Sequence, residues 1–151
     1  MARVQVTRTY LDLVRPEDLA AAPSADPRLR LERVEQCPTS FHRADQARAY
    51  LDSPTVRLWV LYCAGAPAGY FELKRHDDGS VEIAYFGLLP EFKGRGFGKH
   101  MLTEATRQAW SWGAQRVWLH TCSLDDPAAL PNYLARGFRP FKTEEYAIEM
   151  P

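Results

Sequence analysis

Pro90-Glu-Phe-Lys93-Gly94-Arg95-Gly96-Phe97-Gly98-Lys99 is the stretch on which the reading of this chain turns. Its three glycines stand at every second position. An apolar run, Val81 to Leu89, precedes them, and Met101, Leu102, Ala105, Ala109 and Trp112 follow at helical spacing. A glycine loop between a strand and a helix lets the backbone approach a ligand and take up positive φ. The helix it opens offers N–H groups with no internal partner and a partial positive charge, an arrangement suited to phosphate. Lys93, Arg95 and Lys99 add cationic side chains. No Ser or Thr follows Lys99, so this is not the loop of a nucleotide hydrolase, and Gly94-Arg-Gly-Phe-Gly-Lys-His does not complete the dinucleotide fingerprint.

Working outward, Val56–Ala64, Gly69–Lys74 and Val81–Leu89 read as a three-strand meander joined by the turns at Gly65 and Asp77-Asp-Gly79. Gly113 stands where the helix after the loop needs a C-terminal cap. Arg116–Cys122 reads as a strand reached by a right-handed crossover and therefore parallel to the one before it. Further out, Val4–Leu13 reads as a first strand and Arg15-Pro-Glu-Asp18 as a helix start. Residues 20–40 read as irregular, with a short strand at Leu29–Val34, and Phe41–Leu51 as a helix. A short helix ends at Gly137, and Phe138–Phe141 and Tyr146–Met150 read as terminal strands. The expected fold is α+β (mixed α/β), one domain over residues 1–151. It has a mostly antiparallel sheet, one parallel β-α-β crossover and helices on both faces.

Composition narrows the function. The chain has 151 residues, 46% hydrophobic and 25% charged, with 19 basic and 19 acidic side chains. With no basic surplus, nucleic acid and anionic membrane are not the expected partners. Cys37, Cys63 and Cys122 are odd in number and far apart, so neither a disulfide framework nor a metal site is expected. The first residues lack the apolar core of a signal peptide and no run is long enough to span a bilayer, which makes a reducing cytoplasm the expected compartment.

Lys93-Gly-Arg-Gly96-Phe-Gly98 resembles the pyrophosphate loop of the GCN5-related N-acetyltransferases, Gln/Arg-x-x-Gly-x-Gly/Ala, with Lys93 in place of the usual Gln or Arg. Glu82-Ile-Ala-Tyr-Phe-Gly-Leu-Leu-Pro90 upstream and Tyr133-Leu-Ala-Arg-Gly137-Phe138 downstream extend the resemblance from about Val56 to Phe138. The resemblance implies that the meander's third strand and the strand after the crossover splay apart to hold acyl-CoA. Pantetheine would lie against Gly87, Leu88 and Leu89, and pyrophosphate on the amides of Arg95, Gly96, Phe97, Gly98 and Lys99. The donor site is thus the Leu88–Leu89–Pro90 edge plus Lys93 to Lys99, including Gly94. Asp126 stands where the family commonly has Asn, and Asn132 is the other candidate for that amide. Tyr133, four residues before Gly137, matches the tyrosine that meets the departing thiolate.

Acyl transfer to an amine also needs a base. Glu82 opens the third meander strand and leads as catalytic base, with Glu72 on the hairpin partner behind it. Alternation places Glu82, Ala84 and Phe86 on one face unless a bulge intervenes. His120 reads as a satisfied strand-end histidine that could also act as base. His42, His76 and His100 read as surface residues. The expected activity is direct transfer of an acetyl group from acetyl-CoA, without a metal, to a primary amine on a small molecule or peptide. A longer acyl donor and a non-catalytic acyl-CoA-binding module are the alternatives. The proline-bearing segment 20–40 reads as a lid or a homodimer contact.

Overall fold

The computed structural model describes residues 2–35 and 53–151. Cys37, His42 and the helix expected over Phe41–Leu51 lie outside the described residues. Among the described residues the strands are β1 (Ala2–Leu13), β2 (Leu29–Val34), β3 (Val56–Cys63), β4 (Ala66–Arg75), β5 (Ser80–Leu88), β6 (Arg116–Cys122) and β7 (Arg139–Met150). Two α-helices, α1 (Phe97–Ser111) and α2 (Ala129–Ala135), follow the glycine loop and β6. The strands form one sheet in the order β2-β3-β4-β5-β6-β1-β7, in which only β5 and β6 run parallel. This is the expected mixed α+β architecture with a single crossover.

The core follows from α1's periodicity. Met101, Leu102, Ala105 and Ala109 are fully buried, and they pack in one cluster with Leu11, Phe71, Leu73, Val81, Val117 and Leu119 of the sheet. Each such large side chain contributes about 1.5–3 kcal/mol relative to exposure, which anchors the helix behind the loop. Trp112 closes α1 and the next residue, Gly113, has φ 90°, as its cap position requires. The Arg75 guanidinium donates to the Trp112 carbonyl and lies 4.8 Å from its ring, a cation at the negative end of the helix.

Three local expectations change. The helix start at Arg15 yields one 3-10 turn, Pro16–Asp18, because Leu19 is already extended and the Ala20 N–H is held by the Arg136 carbonyl at 2.9 Å. The two terminal strands are one, β7, pairing with β1 along nearly its whole length. The register shifts between Tyr10↔Lys142 and Leu11↔Pro140, leaving Phe141 as the extra residue. Pro140 has no N–H to donate, and a bulged edge strand tolerates it. His100 is half-buried, not superficial: its Nδ1 accepts the Ser24 N–H at 2.8 Å, and burial lowers its pKa. With the Ala22 N–H on the Thr103 hydroxyl at 2.9 Å, that bond ties the chain after Ala20 to α1. Among the described residues no helix is long and apolar enough to cross a membrane.

Candidate active site

β5 and β6 pair only from Ser80↔Arg116 to Glu82↔Trp118. Beyond that point β5 stays with β4 as far as Leu88↔Gly69, and β6 stays with β1 as far as Cys122↔Arg8. The sheet therefore opens at Glu82. A bulge helps turn β5 away: Ile83 faces Leu73 while Tyr85 faces Glu72, so Ala84 is the extra residue. Cross-strand partners share a face. Ile83 with Leu73 and Phe86 with Phe71 lie on the core face. Glu82 with Lys74 and Tyr85 with Glu72 lie on the outer face. Plain alternation would have grouped Phe86 with Glu82; the bulge separates them.

Opening the sheet leaves backbone groups without strand partners. The Leu89 N–H is spent on β4, donating to the Ala68 carbonyl at 2.8 Å. Since bonding direction alternates along a strand, Leu88 and Phe86 turn their N–H and C=O groups into the gap. Such groups call for an outside partner. The gap is a cleft of about 1020 Å³. Leu88, Lys93, Gly94, Gly96, Gly98 and Lys99 line it from the loop side. Leu89, Pro90, Arg95 and Phe97 are not part of that wall: Phe97 is buried in the core and Arg95 lies over the Phe92 ring at 5.4 Å.

The loop has the geometry its glycines suggest. Gly94 and Gly96 have φ of 77° and 80°, and Gly96 immediately precedes α1. The N-cap residue, Gly96, has no side chain to cap α1, which leaves its first N–H groups without a side-chain cap among the described residues. Across the cleft, Asp126 accepts the Ala128 N–H and the Lys93 ammonium, each at 2.9 Å, and these two bonds hold its carboxyl below the usual range. The helix α2 starts at Ala129, three residues after Asp126, which places Pro131 in the first turn where its missing N–H costs nothing. Asn132 lines the cleft opposite Gly98: a Cβ on that glycine would stand 3.7 Å from the Asn132 amide nitrogen.

Tyr133 projects from α2 against Phe86 and Phe138, with ring centroids 6.2 and 6.5 Å away. It lines the cleft and is 6% exposed; burial, and then the nearby Asp125 carboxylate, push its pKa up to about 12. Its hydroxyl makes no hydrogen bond to any described residue. Asp125 is desolvated, which raises its pKa. That effect is outweighed by the Cys122 N–H (2.9 Å), the Thr121 hydroxyl (2.7 Å), the Cys122 thiol and His120, so the group remains an anion. Gly137 sets the end of α2. Its φ is 105°, and a Cβ there would stand 2.2 Å from the Asp18 carbonyl oxygen. Gly137→Ala should cost ~1–2 kcal/mol from the left-handed φ alone, a fall of about 2–8 °C in Tm measured by calorimetry, with the clash against the Asp18 carbonyl adding to it.

Glu82 stands at the point of opening, 13% exposed, but it does not line the cleft. His120, two residues past its partner Trp118, does. Glu82 Oε1 is 2.9 Å from His76 Nε2, and Oε2 is 3.9 Å from His120 Nε2. His76 was expected at the surface; the tight β4–β5 turn was the available signal, since it puts His76 and Glu82 on one face. Glu72 lies on that outer face opposite Tyr85. Sequence reasoning also missed Arg136, which lines the cleft with its Nε and one terminal nitrogen buried and without partners among the described residues. An uncapped helix start, a free strand edge and an orphaned guanidinium fit one extended ligand with phosphate and amide groups.

Comparison with known proteins agrees with this geometry. The family model "Acetyltransferase (GNAT) family" matches residues 26–138. An uncharacterised N-acetyltransferase of Mycobacterium bovis is 36% identical over 70 residues, 46% of this chain and 45% of that protein. The chain thus matches about half the length of such curated relatives. A GCN5-related N-acetyltransferase from Kribbella flavida has the same fold, with a TM-score of 0.71 and 21% identity over 96% of this chain and 58% of that one. An aminoglycoside acetyltransferase from an uncultured soil metagenomic sample, solved with sisomicin, gives a TM-score of 0.62 and 14% identity over 75% and 90% of the two chains. With its family motif embedded in the parted sheet, this chain belongs to the GNAT acetyltransferase family.

Proposed function

We propose that the protein transfers an acetyl group from acetyl-CoA to a primary amine on a small molecule or peptide, by direct attack of the amine. The observation that carries this reading is the opening between β5 and β6, with the loop at one end and Tyr133, whose hydroxyl bonds to no described residue, in its wall. Acetyl-CoA supplies the activated thioester. The first N–H groups of α1, with Lys93 and Lys99, would hold its pyrophosphate; Leu88 and Phe86 would pair with the pantetheine amides, and Asn132 and Arg136 would meet further polar groups. Asp126 serves through Lys93, keeping that cation beside the loop.

Tyr133 stays protonated throughout the neutral range and is suited to hand its proton to the leaving thiolate. The acceptor nitrogen must be neutral to attack, so its ammonium proton has to leave first, toward the Glu82 side of the opening. Metal chemistry forms no part of this reading. The rival, a non-catalytic acyl-CoA-binding module, has the same loop but no use for an unbonded tyrosine hydroxyl.

Two measurements test it. A ligand at a hundredfold over its Kd stabilises by about 2.7 kcal/mol. Acetyl-CoA and CoA should therefore raise Tm by about 5–10 °C in a thermal melt, with ATP and NAD doing much less. Equal shifts from all four would reduce the loop to a nonspecific anion site. A panel of amines with several acyl donors should then give amine-dependent thiol release. Binding without release from any acceptor would favour the binding module.

A further inference from the structure

We propose that His120, Glu82 and His76 form a proton line from the main cleft, through the sheet's point of opening, to a second cavity on the outer face. This rests on the transfer reading above and says where the acceptor's proton goes. Glu82 touches neither cavity, so it cannot meet the amine itself. His120 lines the cleft, and its imidazole is 39% exposed. His76 lines a separate cavity of about 250 Å³ with Tyr10, Asp78, Ser80, Trp118 and Lys142. One carboxylate therefore joins two histidines that open onto different spaces. Its 3.9 Å separation from His120 exceeds a hydrogen bond, as catalytic contacts often do before substrate is bound.

The surroundings hold the line in place. The Trp118 indole N–H donates to the Ser80 hydroxyl at 3.0 Å, and that hydroxyl donates to Asp78 at 2.6 Å. Trp118 so fixed carries the His76 ring, with centroids 5.3 Å apart, while Tyr10 backs His120 at 5.5 Å. The charged and titratable groups facing His120 are Glu82 from β5, Tyr10 and Arg8 from β1, and Asp125 after β6. Those facing Glu82 and His76 are Lys74 across the ladder, Asp78 in the turn, and Arg116, Tyr10 and Lys142 around the second cavity. Both histidines thus stand next to a carboxylate that stabilises a passing positive charge.

In the forward direction the ammonium N–H bond breaks, its electron pair stays on nitrogen, and the proton joins His120 Nδ1. The Nε2 proton of that imidazolium passes to Glu82 Oε2. Once exchange with solvent in the second cavity has put His76 in its Nδ1–H tautomer, the carboxyl turns about its Cγ–Cδ bond to present its proton to His76 Nε2, and His76 Nδ1 releases one to solvent. Glu82 ends as the carboxylate it began as, and ring rotation or exchange with water restores each histidine's tautomer.

Two independent experiments test the line. Imidazole NMR signals of His76 and His120, followed against pH in the unliganded protein, need no substrate. Glu82→Gln should change the imidazole signals of both histidines, and His76→Asn should change those of His120. A His120 curve unchanged in both variants breaks the line even if the enzyme acetylates amines. Kinetics supply the second test once wild type shows amine-dependent thiol release. In weak buffer, His76→Ala should lower kcat about tenfold with the KM for acetyl-CoA unchanged, and added imidazole should restore it where salt of equal ionic strength does not. His120→Gln should remove the acid limb of the amine kcat/KM profile. A His76→Ala enzyme with wild-type kcat at every buffer concentration would mean that protons leave through the cleft's own water, and would overturn the proposal. Absence of turnover in wild type would instead fail the transfer reading, leaving the titrations to decide on the line.

Discussion

Tyr133→Phe is expected to lower kcat at least tenfold where water partly replaces the hydroxyl, and by the about 10²- to 10⁴-fold that a general acid contributes where it does not, while leaving the affinity for CoA unchanged. The thiolate gains charge only as the tetrahedral intermediate collapses, so an interaction with it belongs to the transition state and its loss falls on kcat. The substitution removes one hydroxyl that no described residue uses and keeps the ring against Phe86 and Phe138, so packing and Tm should hardly change. The pH dependence has a definite sign. Burial disfavours the tyrosinate and places the pKa at about 12, so the acid form persists well above neutrality. Wild-type kcat should show no alkaline limb from this group up to roughly pH 10, the ordinary tyrosine value. The measurement is single-turnover thiol release, where chemistry is isolated from product release. A Phe variant with the wild-type single-turnover rate would leave Tyr133 as a packing residue and make bound water the acid.

Gly96→Val should weaken CoA binding about a hundredfold or more while the chain still folds. Gly96 has φ 80°, and the nearest atom to a Cβ built there is Lys99 Cε at 3.6 Å, so space is not the obstacle in the free protein. The backbone is. A left-handed conformation costs a side-chain-bearing residue about 1–2 kcal/mol, and a β-branched one more. The variant relieves that strain by turning the peptide before α1, which withdraws the N–H groups aimed at the pyrophosphate. Each hydrogen bond to a charged group contributes about 1.5–3 kcal/mol, so losing two accounts for the expected drop. The residue is exposed, so the fold should survive with a fall in Tm of a few degrees. Calorimetric titration with CoA, with circular dichroism as the check on folding, separates the cases. An unfolded variant would make the glycine structural and take away its assigned role.

The loop, α1 and the meander were legible from sequence because their information is local. Glycine positions set the φ values at 94, 96 and 113, the 3.6-residue repeat from Met101 selected the buried face of α1, and turn residues at Gly65 and Gly79 marked the hairpins. The place of Tyr133 in the cleft wall was legible for the same reason, since its distance from Gly137 is a matter of one short helix and its cap. The family followed from these segments in their order. The helix start at Arg15 misled because a proline and acids favour a first turn, yet the long-range bond from Ala20 to Arg136 decides what comes next.

What sequence could not settle is who stands beside whom across the sheet. Side-chain neighbours between strands depend on register, and one extra residue reverses every later position. The bulge at Ala84 sends Phe86 to the core, and the end of β5–β6 pairing at Glu82 leaves that carboxylate behind the cleft wall with His76 and His120 on either side. The burial of His100, the orphaned nitrogens of Arg136 and the fusion of the last two strands into β7 arise in the same way. The sequence by itself determined the family, the phosphate-suited loop and the candidate acid, because each is written in residues close along the chain. Only the tertiary structure decided which groups line the cleft and which stand behind it. Those contacts join residues from separate strands, and packing of the whole sheet sets their register.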